Sequence, residues 1–264
     1  MKRLSTILIS VALSLLGVAP ARAAGRRNPL EGQPSIRHRL ELRNLRFEVE
    51  PFIGFTILQD FNNTVMGGAK LQYHLTDWVG IGGVFGGGAA VGTGLKSQIL
   101  STLNDSMPLG GPPRTDAEQA MNHIVWMAAA QAEFTPFGGK FAMFSRAFFN
   151  YDFYLDGGAG FVNLKNDLAG KNPMSCDSKV LTNQFGCNDG TKIGPSAAAG
   201  VHMFFNDFMA FNLEYRAIVI KDNSAGRDTN GDRAVNDDDL GWSLKQFVTL
   251  GLSFFLPAKA DISR

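Results

Sequence analysis

The chain has 264 residues, enough for one domain, with 45% hydrophobic residues, 30 glycines and 21 phenylalanines against 11 prolines. Beyond residues 1–23 no stretch holds the ~18 uninterrupted apolar residues of a spanning helix. The formal net charge is +1; without Lys2, Arg3 and Arg22 it is 22 basic against 24 acidic residues, and no basic aromatic cluster occurs, which argues against a nucleic-acid surface.

Lys2 and Arg3 precede an apolar run over residues 4–18, and Ala21-Arg22-Ala23 offers a small-x-small cleavage step. This order predicts an export signal over residues 1–23, with the mature chain beginning near Ala24. Residues 24–41 are basic and irregular and are expected to be a periplasmic lead-in.

Eight strands are then expected, at residues 45–57, 65–75, 78–88, 123–134, 150–164, 196–205, 210–220 and 244–256. The first alternates Phe47, Val49, Ile53, Phe55 and Ile57 with Arg46, Glu48 and Glu50. The second sets Ala69, Leu71, Tyr73 and Leu75 against Lys70, Gln72 and His74. The third is rich in glycine. The fourth places Ile124, Trp126, Ala128, Ala130, Ala132 and Phe134 opposite Gln131 and Glu133. Pro136-Phe137-Gly138-Gly139 is expected to turn it. In the fifth, Tyr151, Phe153, Leu155, Ala159 and Phe161 oppose Asp152 and Asp156. In the seventh, Phe211, Leu213, Tyr215, Ala217 and Val219 oppose Asn212, Glu214 and Arg216. In the eighth, Leu244, Val248, Leu250, Leu252, Phe254 and Leu256 oppose Lys245, Thr249, Gly251 and Ser253.

Thr115-Asp116-Ala117-Glu118 reads as a capping box, so a short helix competes with strand inside the loop before His123. The connections after strands two, four and six are short. Those after three, five and seven are long, at residues 89–121, 165–193 and 221–241. That asymmetry predicts a transmembrane antiparallel up-and-down β-barrel over residues 42–257, with short periplasmic turns, long extracellular loops and a C-terminal extension at 258–264.

The inward positions then collect Arg46, Glu48, Glu50, Lys70, His74, Glu133, Asp152, Asp156, Glu214, Arg216 and Lys245. Buried charges need partners, so a cross-linked ionic network is expected. A catalytic or conducting lumen is one reading and a space-filling polar plug the other. Eight strands leave little room for a channel, which favours the plug.

Asp228, Asn230, Asp232 and Asn236 stand at the first, third, fifth and ninth places of a calcium loop, with Ala234 as a carbonyl donor and Asp239 as the twelfth ligand. Arg233 replaces the usual glycine and Asp239 is shorter than glutamate, so Ca2+ and an acidic solvated loop both stand open. The segment resembles the calcium loops of dockerin-type repeats. Cys176 and Cys187, the only cysteines, are expected to form a disulfide within one exported loop. His38, His74, His123 and His202 lie scattered along the chain and lend zinc little support. Gly92-Thr93-Gly94-Leu95-Lys96-Ser97 lacks the Gly-Lys-Ser run of a phosphate loop, and the set His123, Asp116 and Ser106 has no spacing specific to a hydrolase.

Phe47-Glu48-Val49-Glu50-Pro51-Phe52-Ile53-Gly54, Gly139-Lys140-Phe141, Asp152-Phe153-Tyr154-Leu155 with Gly157-Gly158-Ala159-Gly160, and the aromatic-rich Leu250–Pro257 carry a resemblance. The chain resembles the outer-membrane β-barrel domain proteins common in myxobacteria and related bacteria, from Leu42 onward. The resemblance implies outer-membrane location, contact with lipid and with the barrel-insertion machinery, and a fold rather than a reaction. Some members look like parts of envelope assemblies, including surface motility machinery. The expectation is a non-enzymatic structural or interaction component that meets other envelope proteins through its loops. A passive pore and an outer-membrane enzyme are the alternatives.

Overall fold

The computed structural model describes residues 43–103, 114–143, 147–166, 189–224, 229–231 and 237–258. The expected signal and lead-in, the Cys176–Cys187 bridge, and Ser106 lie outside the described residues, as does the extension beyond residue 258.

Eight strands form: β1 (Phe47–Ile57), β2 (Asn62–His74), β3 (Val79–Gly92), β4 (His123–Met143), β5 (Ala147–Lys165), β6 (Gly190–Asn206), β7 (Met209–Asp222) and β8 (Gly241–Leu256). Each pairs antiparallel with its chain neighbours. β1 also pairs with β8, through Phe47↔Leu256, Ile53↔Leu250 and Ile57↔Gln246, so the sheet closes and leaves no free edge. Among the described residues no helix is long and apolar enough to cross a membrane.

Period-two alternation drives this arrangement, because successive side chains point to opposite faces. Phe47, Ile53, Phe55, Leu71, Phe85, Leu213 and Leu250 stand on the outer wall, and their strand neighbours are buried inside. At the short-turn end the outer wall carries aromatic groups, with Phe137 stacked on Phe153 at 5.3 Å and Phe47 against Tyr73 at 4.6 Å.

The turn between β2 and β3 is tied by Leu75 N and Thr76 N donating to Val79 O, and by Thr76 Oγ1 accepting from Trp78 N and Val79 N. The β6–β7 turn is two residues long, with Phe208 N donating to Asn206 Oδ1. The opposite end carries the long connections. After β3 comes helix α1 (Gly94–Thr102), whose Thr93 cap accepts from Lys96 N, and then α2 (Arg114–Ala120). The short-helix reading thus holds for one piece of that loop, beginning at Arg114, and β4 follows it as strand. The segment 94–102, expected to be plain loop, is helix.

Two expectations for β4 are also corrected. Pro136-Phe137-Gly138-Gly139 does not turn the chain. β4 runs through it to Met143, pairing Phe137↔Phe153, Gly138↔Asp152 and Gly139↔Tyr151. The register shifts between Phe134 and Phe137, so Pro136 sits in a bulge, where its missing N–H costs no ladder bond. Ile124 was expected on the outer wall with Trp126, but it is buried inside. A second register shift, between Ile124 and Trp126, flips the alternation there.

The interior holds an apolar layer formed by Phe52, Met66, Val84, Met127, Val162, Ile218 and Phe247. The Phe52 ring lies over Gly68 and Gly86, its register neighbours on β2 and β3; a Cβ at either glycine would meet the ring. The Tyr154 ring lies the same way over Gly200 on β6. Replacing Gly200 with leucine is therefore expected to dislodge Tyr154 and lower the urea midpoint of the lipid-embedded barrel by about 1–3 kcal/mol in stability. An unchanged midpoint would show that this close approach is dispensable.

Candidate functional site

The inward residues lie in tiers along the barrel axis. At the short-turn end, Arg43 precedes β1, with its backbone N and that of Asn44 donating to Asp77 Oδ1 at 2.7 and 3.0 Å. This tether directs the Arg43 side chain into the mouth. There its guanidinium pairs with Asp152, approaches Glu133 Oε1 at 3.3 Å, and lies over the Phe204 and Phe255 rings at 5.6 and 5.4 Å. Arg46 donates to the carbonyls of Asp207, Phe255 and Pro257 across the same mouth.

One step deeper, Glu48 stands between two histidines. His74 Nε2 is 2.9 Å from Glu48 Oε2, and His202 Nε2 is 3.0 Å from Glu48 Oε1. His202 Nδ1 is 2.9 Å from Asp152 Oδ1, and its ring stacks on Tyr154 at 4.6 Å. His74 and His202 are thus gathered by the fold around one carboxylate, which corrects the reading of scattered histidines. The arrangement follows from register and parity. Glu48 and His74 face inward on adjacent strands, and Asp152↔His202 is a cross-strand pair.

The next tier centres on Lys70. Its Nζ lies 3.1 Å from Asp156 Oδ2, 3.2 Å from Glu133 Oε2 and 3.3 Å from Glu214 Oε2, over the Tyr154 ring at 4.0 Å. Arg216 Nη2 reaches Glu214 Oε1 at 2.7 Å and Asp156 Oδ2 at 3.3 Å. Tyr154 Oη donates to Glu214 Oε2 at 2.9 Å, and Asn212 Nδ2 donates to Glu50 Oε2 at 2.6 Å. Beyond this lies the apolar layer.

The outermost tier sits under the long loops. Lys245 Nζ lies 2.8 Å from Asp222 Oδ2, and Asn122 Nδ2 donates to Asp222 Oδ1 at 2.8 Å. Asn62 Nδ2 donates to Asn122 O, and Lys96 Nζ reaches from α1 to Asn62 Oδ1. All eleven inward residues expected from the sequence are buried. The structure divides them: Lys245 stands apart beyond the apolar layer, and the other ten lie on its short-turn side.

Sequence reasoning passed over Arg43, Tyr154, His202 and the inward aromatic residues Phe52, Phe204, Phe247 and Phe255. His202 shares the parity of Ser196 on its strand, which was the available signal. Of the expected calcium ligands, Asn230 and Asp239 are described, and Asp228, Asp232, Ala234 and Asn236 lie outside the described residues. Asp239 Oδ1 accepts from Thr229 N at 2.6 Å and Thr229 Oγ1 at 2.7 Å, closing the base of that loop.

A closed antiparallel barrel of eight strands, apolar outside and filled with paired charges inside, is a transmembrane β-barrel. The chain belongs to the family of outer membrane protein β-barrel domains, which it matches over residues 9–246, and its place is the outer membrane. It is similar to the N-terminal β-barrel domain of Pseudomonas aeruginosa OprF, at 12% identity over 81% of this chain and 98% of that one, with a TM-score of 0.42. It is also similar to the outer membrane protein OprG of Pseudomonas aeruginosa, at 11% identity over 81% and 97%, TM-score 0.40. A third likeness is to Ail, the attachment invasion locus protein of Yersinia pestis, at 9% identity over 81% and 99%, TM-score 0.36. None of the curated proteins matches the chain.

Proposed function

We propose that this barrel is a sealed, non-catalytic structural component of the cell envelope, whose long outer connections meet other envelope proteins, as in a surface or motility-related assembly. The observation that supports this reading is the filled interior: the layer of Phe52, Met66, Val84, Met127, Val162, Ile218 and Phe247 lies between two sets of paired charges. Water and ions passing along the axis would have to displace that layer, and eight strands leave no wider route. Among the described residues the β2–β3 and β6–β7 connections of the short-turn end are tight, which leaves the long-loop end with the surface for partners. The outward Leu250, Leu252, Phe254 and Leu256 of β8 suit both lipid and the barrel-insertion machinery.

Planar-bilayer recording of the purified barrel tests this. The wild type is expected to show no discrete conductance steps. Phe52→Ala combined with Phe247→Ala is expected to produce them, because both rings leave the same layer. Regular single-level openings in the wild type would replace the sealed reading with that of a passive pore.

A further inference from the structure

The tiers on the short-turn side of the apolar layer do not balance in charge. Among the described residues, six buried carboxylates, Glu48, Glu50, Glu133, Asp152, Asp156 and Glu214, face four buried cations, Arg43, Arg46, Lys70 and Arg216. His74 and His202 stand among them, so an excess of two negative charges is left for these histidines or a bound cation to offset.

The hydrogen bonds locate a place for such a cation. His202 Nδ1 lies 2.9 Å from Asp152 Oδ1, which can only accept, and 3.2 Å from Arg43 Nη2, which can only donate; in the tautomer that serves the shorter contact, Nδ1 carries the proton. In that tautomer Nε2 keeps a lone pair for a ligand bond. Nε2 stands 3.0 Å from Glu48 Oε1, yet the two lack hydrogen-bond geometry, and both buried atoms are left without a hydrogen-bond partner. The other oxygen of Glu48 is held by His74 Nε2 at 2.9 Å. Glu50 completes the set. Its Oε2 accepts from Asn212 Nδ2 at 2.6 Å and Ser253 Oγ at 3.3 Å, and donor atoms of Glu48, Glu50 and His202 lie within 4.8 Å of one another.

We propose that His202 Nε2, Glu48 Oε1 and the Glu50 carboxylate bind one divalent first-row transition-metal ion, of which Zn2+ is the probe of choice. An imidazole with two carboxylates is a fitting donor set, with bonds of about 2.0–2.2 Å that small side-chain movements would reach. Each ligand is held from behind: His202 by Asp152, Glu48 by His74, and Glu50 by Asn212 and Ser253. The stacked Tyr154 ring fixes the imidazole plane. The neighbouring set of Glu48, His74 and Glu133 is less suited. His74 Nε2 already donates its proton to Glu48, and Glu133 already faces Lys70 and Arg43. The divalent ion would also cancel the excess charge. This inference does not rest on the barrel being sealed or on the nature of its partners.

The test is to refold the full chain in detergent with excess ZnCl2, desalt it, and count zinc by plasma mass spectrometry. Heat-modifiable gel mobility reports folding in parallel. About one equivalent is expected in the folded wild type and in His123→Gln, whose histidine lies at the far end of β4. His202→Gln is expected to lose the ion. Asp152→Asn, which removes the carboxylate that orients His202 and also pairs with Arg43, is expected to weaken binding by roughly 10- to 100-fold in barrel that still shows the folded gel mobility. Should His202→Gln fail to fold, Glu50→Gln carries the same expectation. Co2+ in place of Zn2+ should give a visible absorption band that His202→Gln lacks. Folded wild type without retained metal overturns the proposal. So does retention that survives His202→Gln and is lost in Asp239→Ala, which would assign the ion to the acidic outer loop.

Discussion

Lys70→Met is expected to destabilise the folded barrel by about 3–5 kcal/mol, the range for removing one partner of a buried ionic cluster. The Lys70 ammonium lies within 3.3 Å of three carboxylates, Glu133, Asp156 and Glu214, and is buried with them. Methionine fills the same volume and takes away the shared charge, leaving those carboxylates to Arg43 and Arg216 at its edges. Urea titration in lipid vesicles, read by unboiled gel mobility, would show the transition moving to much lower urea. Lys245→Met is the internal comparison. Lys245 has Asp222 as its carboxylate partner under the outer loops, and the loss there should be smaller. Adding Glu214→Gln to Lys70→Met should recover part of the loss, because one stranded charge is then removed. The interaction measured in that cycle should fall at about 0.5–3 kcal/mol. A Lys70→Met barrel as resistant to urea as the wild type would mean that the lumen does not depend on this cation.

The second large effect concerns the opposite face. Ile53 lies near the middle of β1, is 68% exposed and points outward. Ile53→Arg is expected to cost about 2–4 kcal/mol, the range for a cation on the lipid face at the bilayer midplane. Leu58 is 79% exposed but sits just past the end of β1, at the long-loop rim. Leu58→Arg should cost about 0–1 kcal/mol. The two changes are chemically alike and differ in depth, so the contrast reads the membrane position of the strand directly. Equal costs in vesicles would be incompatible with Ile53 facing the hydrocarbon. The same pair in a detergent that packs loosely around the barrel should show a smaller difference.

Strand identity and facing were legible because one physical rule governs both: lipid outside and charge inside leave a period-two record in every strand. Glu48, Lys70, Glu133, Asp156, Glu214 and Arg216 were readable for that reason. The rule fails where an extra residue enters a strand. The bulges near Val125 and Thr135 reversed Ile124 and carried an apparent Pro-Phe-Gly-Gly corner on as ladder. It also fails where inward residues are themselves apolar. β6 buries Ala198, Gly200 and Phe204 beside His202, so alternation in polarity is faint there and the histidine looked isolated. Arg43 was missed for a different reason. It stands before the first strand and enters the lumen through the tether to Asp77, a long-range contact that local pattern does not encode.

The way Tyr154 lies across Gly200, and Phe52 across Gly68 and Gly86, bears on how such a chain can change over generations. A bulky residue and the hydrogen atom opposite it occupy one shared space, so neither position is free to drift by itself. Among descendants of the same ancestor, enlargement at residue 200 should accompany shrinkage at residue 154, and the same bookkeeping should hold for residues 52, 68 and 86. Such paired exchanges would keep the interior full while moving its aromatic groups from strand to strand. Shrinkage without a compensating partner is the change that should mark a lineage whose barrel has become open.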